Sequence, residues 1–243
     1  MDQSLLIIVP ARGGSKRLPG KNLRPFGGKS LLSRTAEAIT EAAPDAAVLL
    51  STDDNTIAAE GRRLGWRVPF LRPAELASDQ ATTIDVVLHA LDFRRDETGA
   101  DPELVMVLQP TSPLRGSACI RAAIDLLGTR EDADAVIGMV ELALPPARLY
   151  FSKRNGIAEP VSADLRLPVY IPNGAIYLAR TLAVRAECSL YTSRVLPLVM
   201  DTISSIDIDT ESDWRLAEAA LNAHLLPDSA PVLARESLPG NVT

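Results

Sequence analysis

Short, unbroken apolar runs alternate with amphipathic segments over the first 140 residues. Runs of this kind are typical of strands that are buried on both faces. They are LLIIV (5–9), AAVLLST (46–52), ELVMVLQ (103–109) and ADAVIGMV (133–140). The segments between them have apolar residues at helical spacing, which predicts helices at 30–42, 55–65, 82–97 and 117–128. Strands that alternate with helices predict βαβ units, and therefore an α/β three-layer fold with a mainly parallel sheet.

The alternation ends after residue 140. Prolines and short β-like pieces follow, and they predict a small arm inserted at about 141–190. VLPLVM (195–200) and SSIDID (204–209) are predicted to be late strands, and Thr210 with Asp213 predicts the capped start of a helix. Residues 227–243 contain prolines and no periodicity, so we expect a flexible tail after a single domain of residues 1–226.

The composition is that of an ordinary globular protein, because the 243 residues are 47% hydrophobic and 23% charged. With 31 acidic against 25 basic residues, the formal net charge is −6, which argues against a nucleic-acid binder. No apolar stretch approaches the roughly 18 residues of a membrane span, and no signal peptide is visible. Cys119 and Cys188 form no disulfide or zinc pattern. We therefore expect a cytoplasmic protein with no membrane partner.

One segment breaks with this acidic balance, since residues 7–29 contain six basic residues and no acidic one. Within it, the connection from Pro10 to Asn22 is long for a βα loop, and long loops in compact domains tend to be functional. Its glycines allow a ligand to approach closely and its cations neutralise negative charge, a combination that suits a polyphosphate. Neither the Walker A spacing nor G-x-G-x-x-G is present. A solvated basic loop is the alternative.

An acidic pair lies near the other end of the chain. Asp207 and Asp209 would share one face of the predicted strand, and two such carboxylates suit Mg²⁺ that bridges to phosphate oxygens. Turn or solvent-exposed positions are the alternative for both residues. Asp53 and Asp54, in STDD (51–54), could equally be ligands or form a turn and a helix cap.

Further polar residues follow the predicted strands. Gln109, Thr111, Ser112 and Arg115 come after the third strand, where either ligand contacts or a turn with a helix cap would explain them. A second group, in LRPAELASDQATT (71–83), could read the edge of a nucleobase, and it consists of Arg72, Ser78, Asp79 and Thr83.

Six motifs occur in the order found in one enzyme family. They are PARGGSKRLPGKN (10–22), STDD (51–54), LRPAELASD (71–79), LQPTSPLR (108–115), PNGAIY (172–177) and SIDIDTE (205–211). From about residue 5 to residue 222, the sequence resembles the acylneuraminate cytidylyltransferases, the CMP-sialic acid synthetases. The resemblance implies a Rossmann-like nucleotidyltransferase fold, CTP as donor, Mg²⁺ as cofactor, a homodimer and a nine-carbon keto sugar acid as acceptor.

The resemblance also implies roles for individual residues. The catalytic residues would be Arg12, Lys21, Asp207 and Asp209, and the two aspartates would hold Mg²⁺. CTP would be bound by Ala11, Arg12, Gly13, Gly14, Ser15, Lys16, Lys21, Asn22, Arg72, Ala81 and Thr83. The sugar would be bound by Gln109, Arg148, Asn173 and Gly174, with Arg148 where the family has a lysine. The arm would pack on the partner subunit and help to form its sugar pocket.

One position departs from the family pattern. Sialic acid members commonly carry an arginine directly before P-N-G-A-I-Y, which pairs with the sugar carboxylate, and Ile171 stands in its place here. An isoleucine cannot neutralise a charge that is costly to leave unpaired in a pocket. Either another base such as Arg166 takes this role, or the acceptor is not N-acetylneuraminate. Two further alternatives are a nucleotidyltransferase for octulosonate or a sugar phosphate, and a non-catalytic nucleotide-binding relative.

Overall fold

The computed structural model describes residues 2–142, 150–152, 158–160, 168–225 and 232–233. The strands are β1 (Asp2–Pro10), β2 (Pro25–Phe26), β3 (Lys29–Ser30), β4 (Ala46–Ser51), β5 (Leu104–Val107), β6 (Ala135–Glu141), β7 (Tyr150–Ser152), β8 (Ala158–Pro160), β9 (Tyr170–Arg180), β10 (Val195–Val199) and β11 (Val232–Leu233). The helices are α1 (Leu31–Ala42), α2 (Asn55–Arg63), α3 (Thr83–Thr98), α4 (Ser117–Gly128), α5 (Thr181–Glu187) and α6 (Glu211–Asn222), with a 3₁₀ turn at Ala74–Ala77.

Seven strands form the central sheet, in the order β11-β10-β6-β9-β5-β1-β4. Strand β1 is parallel to both β4 and β5, and β10 is parallel to β6. Strand β9 lies between β5 and β6 and is antiparallel to both, while β11 is antiparallel to β10. Five of these seven strands therefore run in one direction, which confirms the predicted mainly parallel sheet. Two short hairpins, β2–β3 and β7–β8, lie outside it.

Alternate side chains of β1 enter different layers, as the period of a strand requires. Ile7 and Val9 pack in one apolar cluster with residues of α1 and α4, whereas Leu6 and Ile8 pack in a second cluster with residues of α3. Helices thus cover both faces of the sheet, and the predicted three-layer α/β fold is confirmed. A third cluster joins Phe26 to Trp214 of α6.

The prediction of a strand at 204–209 is wrong. The described chain has turns and irregular backbone from Asp201 to Thr210, and no strand there. Apolar Ile208 gave this segment its strand-like pattern, but its side chain packs in the cluster with Trp214 of α6. The Ile208 amide donates to the Thr111 carbonyl at 2.8 Å. Asp207 and Asp209 consequently lie on the loop that leads into α6.

Part of the range 141–190 belongs to the central layers. Strand β9 runs through the middle of the sheet, and α5 follows it directly. Residues 143–149, 153–157 and 161–167 of the predicted arm lie outside the described residues, and so do Arg148 and Arg166. In the predicted tail, Val232–Leu233 pair with β10, and the rest of that segment is likewise outside the described residues. No helix in the described ranges is both long and apolar enough to cross a bilayer.

Candidate active site

A pocket of about 540 Å³ opens beyond the carboxyl end of β1. Ligands of open α/β sheets usually bind at this edge, because the loops that follow the parallel strands meet there. Twelve of the residues predicted to act on substrate or metal line the pocket: Ala11, Arg12, Ser15, Lys16, Lys21, Asn22, Arg72, Ala81, Thr83, Gln109, Asp207 and Asp209. The structure therefore brings together segments that are almost two hundred residues apart in the sequence.

Lys21 is a buried cation of this pocket, with 8% of its surface exposed. Its ammonium group donates to the Ile208 carbonyl at 2.8 Å and to Asp209 Oδ1 at 2.9 Å. The other oxygen of Asp209 accepts from Arg17 Nη2 at 2.5 Å. The basic loop and the acidic pair, predicted separately from the sequence, are thus in direct contact.

A second connection ties the basic loop to α6. Arg24 donates two hydrogen bonds to Glu211, at 2.6 and 3.0 Å, and its guanidinium lies 4.2 Å from the centre of the Trp214 ring. Bidentate and cation–π contacts together fix both position and orientation. Sequence reasoning missed this connection, because a single arginine in a basic segment carries no signal of its partner.

The backbone of Asp209 is held by the cap of α6. Asp213 Oδ2 accepts from the Asp209 amide at 3.1 Å and from the Thr210 amide at 2.7 Å. The Thr210 side chain accepts from the Asp213 amide in return, which confirms the predicted cap. Asp213 therefore positions Asp209 opposite Lys21.

Asp207 is a half-buried residue of the site, and one of its carboxylate oxygens is shielded from solvent. Its Oδ1 atom has no hydrogen-bond partner in the described part of the chain. Burial raises the pKa of Asp207, a hydrogen bond from Thr111 opposes this shift, and the neighbouring charge of Asp209 adds to it. Gly174 adjoins this site and has a φ of 77°, a left-handed backbone conformation that favours glycine, whereas a Cβ atom there would make only ordinary contacts, at 3.4 Å from Gln109 Oε1 and 3.9 Å from Asp207 Oδ2.

This carboxylate fits a hard divalent cation. An oxygen that is buried without a donor is destabilising unless a cation or a donor satisfies it. The described residues contain no group of three or more His, Cys, Asp or Glu side chains that could complete a protein-only metal site. Further oxygen ligands would come from phosphate and water, which is the usual arrangement for Mg²⁺ at a nucleotide site.

Asp53 and Asp54 support the basic loop. Asp53 Oδ1 accepts from the Gly13 amide at 2.9 Å, and Asp54 Oδ1 caps α2 by accepting from Thr56 and Ile57 at 2.7 and 3.0 Å. The cap alternative is therefore correct for Asp54, whereas Asp53 holds the backbone of the basic loop, a role that neither alternative included. The Gly13 amide is engaged within the protein, contrary to the expectation that it points at a ligand, and Gly13 and Gly14 do not line the pocket.

Two buried arginines hold the strand ends that border the pocket. Arg72 donates to the Ser51 carbonyl at 2.5 Å and to Ser51 Oγ at 3.1 Å, and burial lowers its pKa to about 10. Arg115 Nη1 donates to the carbonyls of Gln109 at 3.2 Å and of Ala175 at 3.0 Å, and burial lowers its pKa to about 10 as well. Arg115 thereby ties the end of β5 to β9.

Asp79 contacts cations of the loop. Its Oδ1 accepts from Arg12 Nη1 at 2.9 Å and its Oδ2 accepts from Lys16 Nζ at 2.5 Å. The hypothesis that Asp79 reads a nucleobase edge is not supported by these contacts, because both carboxylate oxygens face the phosphate-binding cations predicted from the sequence.

The predicted sugar residues are only partly brought together. Gln109 lines the pocket and Gly174 adjoins it. The Asn173 amide is used internally, since it donates to Ser205 Oγ at 2.8 Å and accepts from the Ala175 amide at 3.1 Å. Ile171 lies on β9 with 46% of its surface exposed, so its apolar side chain is not required by the core.

Comparison with known proteins identifies the family. The sequence profile described as Cytidylyltransferase matches residues 6–153, which is more than half of the chain. The chain belongs to the cytidylyltransferases. A CMP-N,N'-diacetyllegionaminic acid synthase of Legionella pneumophila is 35% identical over 88% of this chain and 94% of its own length. A pseudaminic acid cytidylyltransferase of Campylobacter jejuni is 28% identical over 88% and 94%.

Other members are longer. An N-acylneuraminate cytidylyltransferase of Escherichia coli is 32% identical over 89% of this chain, which spans 52% of that relative. Among solved structures, a CMP-2-keto-3-deoxy-manno-octonic acid synthetase in complex with CTP has a TM-score of 0.66 at 15% identity, and it covers 90% of this chain and 99% of its own. At that identity the likeness shows the fold alone. The predicted family, nucleotidyltransferase fold and enzyme class are confirmed.

The contact between Gly13 and Asp54 predicts the effect of a single methyl group. A Cβ atom at Gly13 would stand 2.7 Å from Asp54 Oδ2 and 2.8 Å from Asp54 Cβ, whereas a Cβ atom at Gly14 has nothing within 4 Å. Gly13→Ala should therefore lower the free energy of unfolding by about 1–3 kcal/mol, measured by urea denaturation. Gly14→Ala is the matched control and should change it by no more than about 0.5 kcal/mol. Equal effects would contradict this packing.

The burial of Asp207 predicts that this carboxylate opposes stability at neutral pH. Its pKa is raised in the folded chain, so its ionised form destabilises the fold, and that cost disappears below the pKa of the unfolded state. Asp207→Asn should raise the melting temperature at pH 7–8 without added metal, and the difference from wild type should shrink as the pH falls toward about 4. A lower melting temperature for the variant at pH 7 would contradict this account.

Proposed function

We propose that this cytidylyltransferase transfers CMP from CTP to the anomeric hydroxyl of a nonulosonic acid and releases pyrophosphate. The observation that carries the proposal is the contact of Lys21 with Asp209 inside a pocket that also contains Arg12, Lys16 and Asp207. Such a site offers cations for a polyphosphate and carboxylates for its metal within one pocket. The near full-length similarity to synthases of CMP-activated nonulosonic acids supports the reaction class.

The reaction asks for positioning and charge neutralisation. The anomeric oxygen attacks the α-phosphorus in line and loses its proton to water, the bond from the α-phosphorus to the bridging oxygen breaks, and pyrophosphate leaves with that electron pair. In the proposal, Arg12 and Lys16 bind the phosphates, and Lys21 neutralises charge that develops at the α-phosphate. Lys21 suits this task because its ammonium group is already oriented by Ile208 and Asp209, so little reorganisation is needed during the reaction.

Mg²⁺ belongs to the proposal as the cofactor, held by Asp207 and Asp209. When bound, it would neutralise phosphate charge and orient the triphosphate. The oxygen of Asp207 without a donor supports this assignment. Asp209 would contribute through Oδ2, by exchanging its present partner Arg17 for the metal while Oδ1 keeps Lys21.

The acceptor is proposed to be a nonulosonic acid of the legionaminic type. The relative that is 35% identical over nearly its whole length carries that name. Ile171 supports an acceptor pocket that differs from that of sialic acid members, since an alkyl side chain offers no charge to a carboxylate. The sugar carboxylate would then pair with a cation other than residue 171. A homodimer, which the resemblance implies, and a cytoplasmic location, which the composition of the sequence predicts, complete the proposal.

The reaction is tested by pyrophosphate release with Mg²⁺ and CTP. The acceptor panel contains legionaminate-type, pseudaminate-type and sialic acids, octulosonate and sugar phosphates, and each acceptor is also assayed with ATP, GTP and UTP. We expect release with CTP and a nonulosonic acid, fastest with the legionaminate type. Release with octulosonate alone would overturn the acceptor class, and nucleotide binding without release from any acceptor would favour a non-catalytic relative.

The role of Lys21 predicts a large kinetic effect. Lys21→Ala should lower kcat/KM by about two to four orders of magnitude, as the loss of a charge contact made in the transition state does. Lys29→Ala is the matched control, because Lys29 lies on β3, outside the pocket lining, where it pairs with Glu37 at 2.6 Å. Kinetics should be measured at saturating Mg²⁺, with melting temperatures as a check of folding. A loss below threefold for Lys21→Ala would remove Lys21 from the catalytic residues.

A further inference from the structure

Asp79 is the only acidic side chain in the described pocket lining whose two oxygens each pair with a different cation of the segment Arg12–Lys16. It lies between the 3₁₀ turn Ala74–Ala77 and α3 and lines the pocket. Hydrogen bonds from Lys16 and Arg12 hold the pKa of Asp79 below its usual range. At neutral pH this carboxylate is therefore an anion bound by the loop.

The donors that hold Asp79 are the donors that a phosphate group would need. The proposed function assigns Arg12 and Lys16 to the phosphates of CTP, and the present inference rests on that assignment. Arg12 and Lys16 each keep further N–H donors, so a phosphate group competes with Asp79 for the same two positive charges rather than for a single hydrogen. Lys21 differs, because its partners are the Ile208 carbonyl and Asp209.

We propose that Asp79 is an internal competitor for the triphosphate. Before CTP binds, Asp79 forms ion pairs with Arg12 and Lys16. These ion pairs break when the phosphates of CTP bind, and they form again when pyrophosphate leaves. The residue thereby limits the affinity of the site for phosphate chains in order to favour turnover. This role requires no contact between Asp79 and the nucleoside.

The ion pairs of Asp79 with Arg12 and Lys16 can break at low cost, because all three side chains are exposed to solvent. The side chains of Arg12, Lys16 and Asp79 are 38%, 79% and 51% exposed. Ion pairs in such positions are weak, each worth less than about fivefold in an equilibrium constant. Removal of the carboxylate charge would leave two cations facing the pocket, so an anion should then bind more tightly.

The test compares the binding of inorganic tripolyphosphate and of CTP to wild type and Asp79→Asn by titration calorimetry. We expect both ligands to bind about three- to tenfold more tightly to the variant, since one or two weak ion pairs no longer compete. Pyrophosphate should also become a stronger product inhibitor. Asp132→Asn is the control for net charge, because Asp132 forms an exposed ion pair with Arg130 and does not line the pocket. Asp132→Asn should leave the affinities for tripolyphosphate and for CTP unchanged.

Two further variants assign the effect to the ion pairs. Asp79→Glu keeps the charge and should keep most of the competition. In an Arg12→Ala background, Asp79→Asn should give a smaller gain, because one of the contested donors is gone. Melting temperatures check that every variant is folded.

The outcomes separate this inference from the proposed function. Unchanged or weaker tripolyphosphate binding to Asp79→Asn would overturn the competitor role. Weaker binding of CTP with unchanged tripolyphosphate binding would also overturn it, since that result indicates a contact to the nucleoside. A wild-type protein that binds tripolyphosphate, responds to Asp79→Asn as expected and yet transfers no CMP would contradict the proposed function alone.

Discussion

The buried ammonium group of Lys21 joins two parts of the chain that are 187 residues apart. A cation removed from water is destabilising unless it finds good acceptors, and the Ile208 carbonyl and the Asp209 carboxylate supply them. The loop before α6 must therefore lie against the loop after β1. The contacts of Arg24 with Glu211 and Trp214 hold the same two segments together from the solvent side. The position of Asp207 and Asp209 beside the basic loop follows from this requirement.

Pairing of opposite charges also explains how an acidic protein keeps a basic loop in order. Asp209 balances Lys21 and Arg17, while Asp79 balances Arg12 and Lys16. The cations are thus held close together before any anion arrives, which lowers the cost of assembling them around a substrate. Asp207 stands apart, since its charge is opposed by burial and by Asp209. The ionised carboxylate of Asp207 therefore destabilises the fold slightly, at the point where a metal ion would neutralise its charge.

Much of the fold could be predicted because β1, β4, β5 and β6 each contain an unbroken apolar run, and the site could be located because its loops follow these strands. The errors have a common origin. Ile208 has the spacing of a strand residue, yet it packs beneath α6, and a spacing pattern does not reveal which partner covers an apolar side chain. The roles of Asp53, Asp79 and Arg24 depend on tertiary contacts. Their residue types alone are compatible with several roles, so the sequence could not predict which partner each one contacts.

Strand β9 gives this architecture a particular order of assembly. Strands β5 and β6 do not pair with each other, because β9 lies between them and bonds to both. A nascent chain that has reached residue 153, where the family match ends, still lacks this central strand and exposes two unpaired sheet edges. The residues that the family profile matches therefore do not include the strand that joins β5 to β6. That junction must await synthesis of residue 180, the last residue of β9.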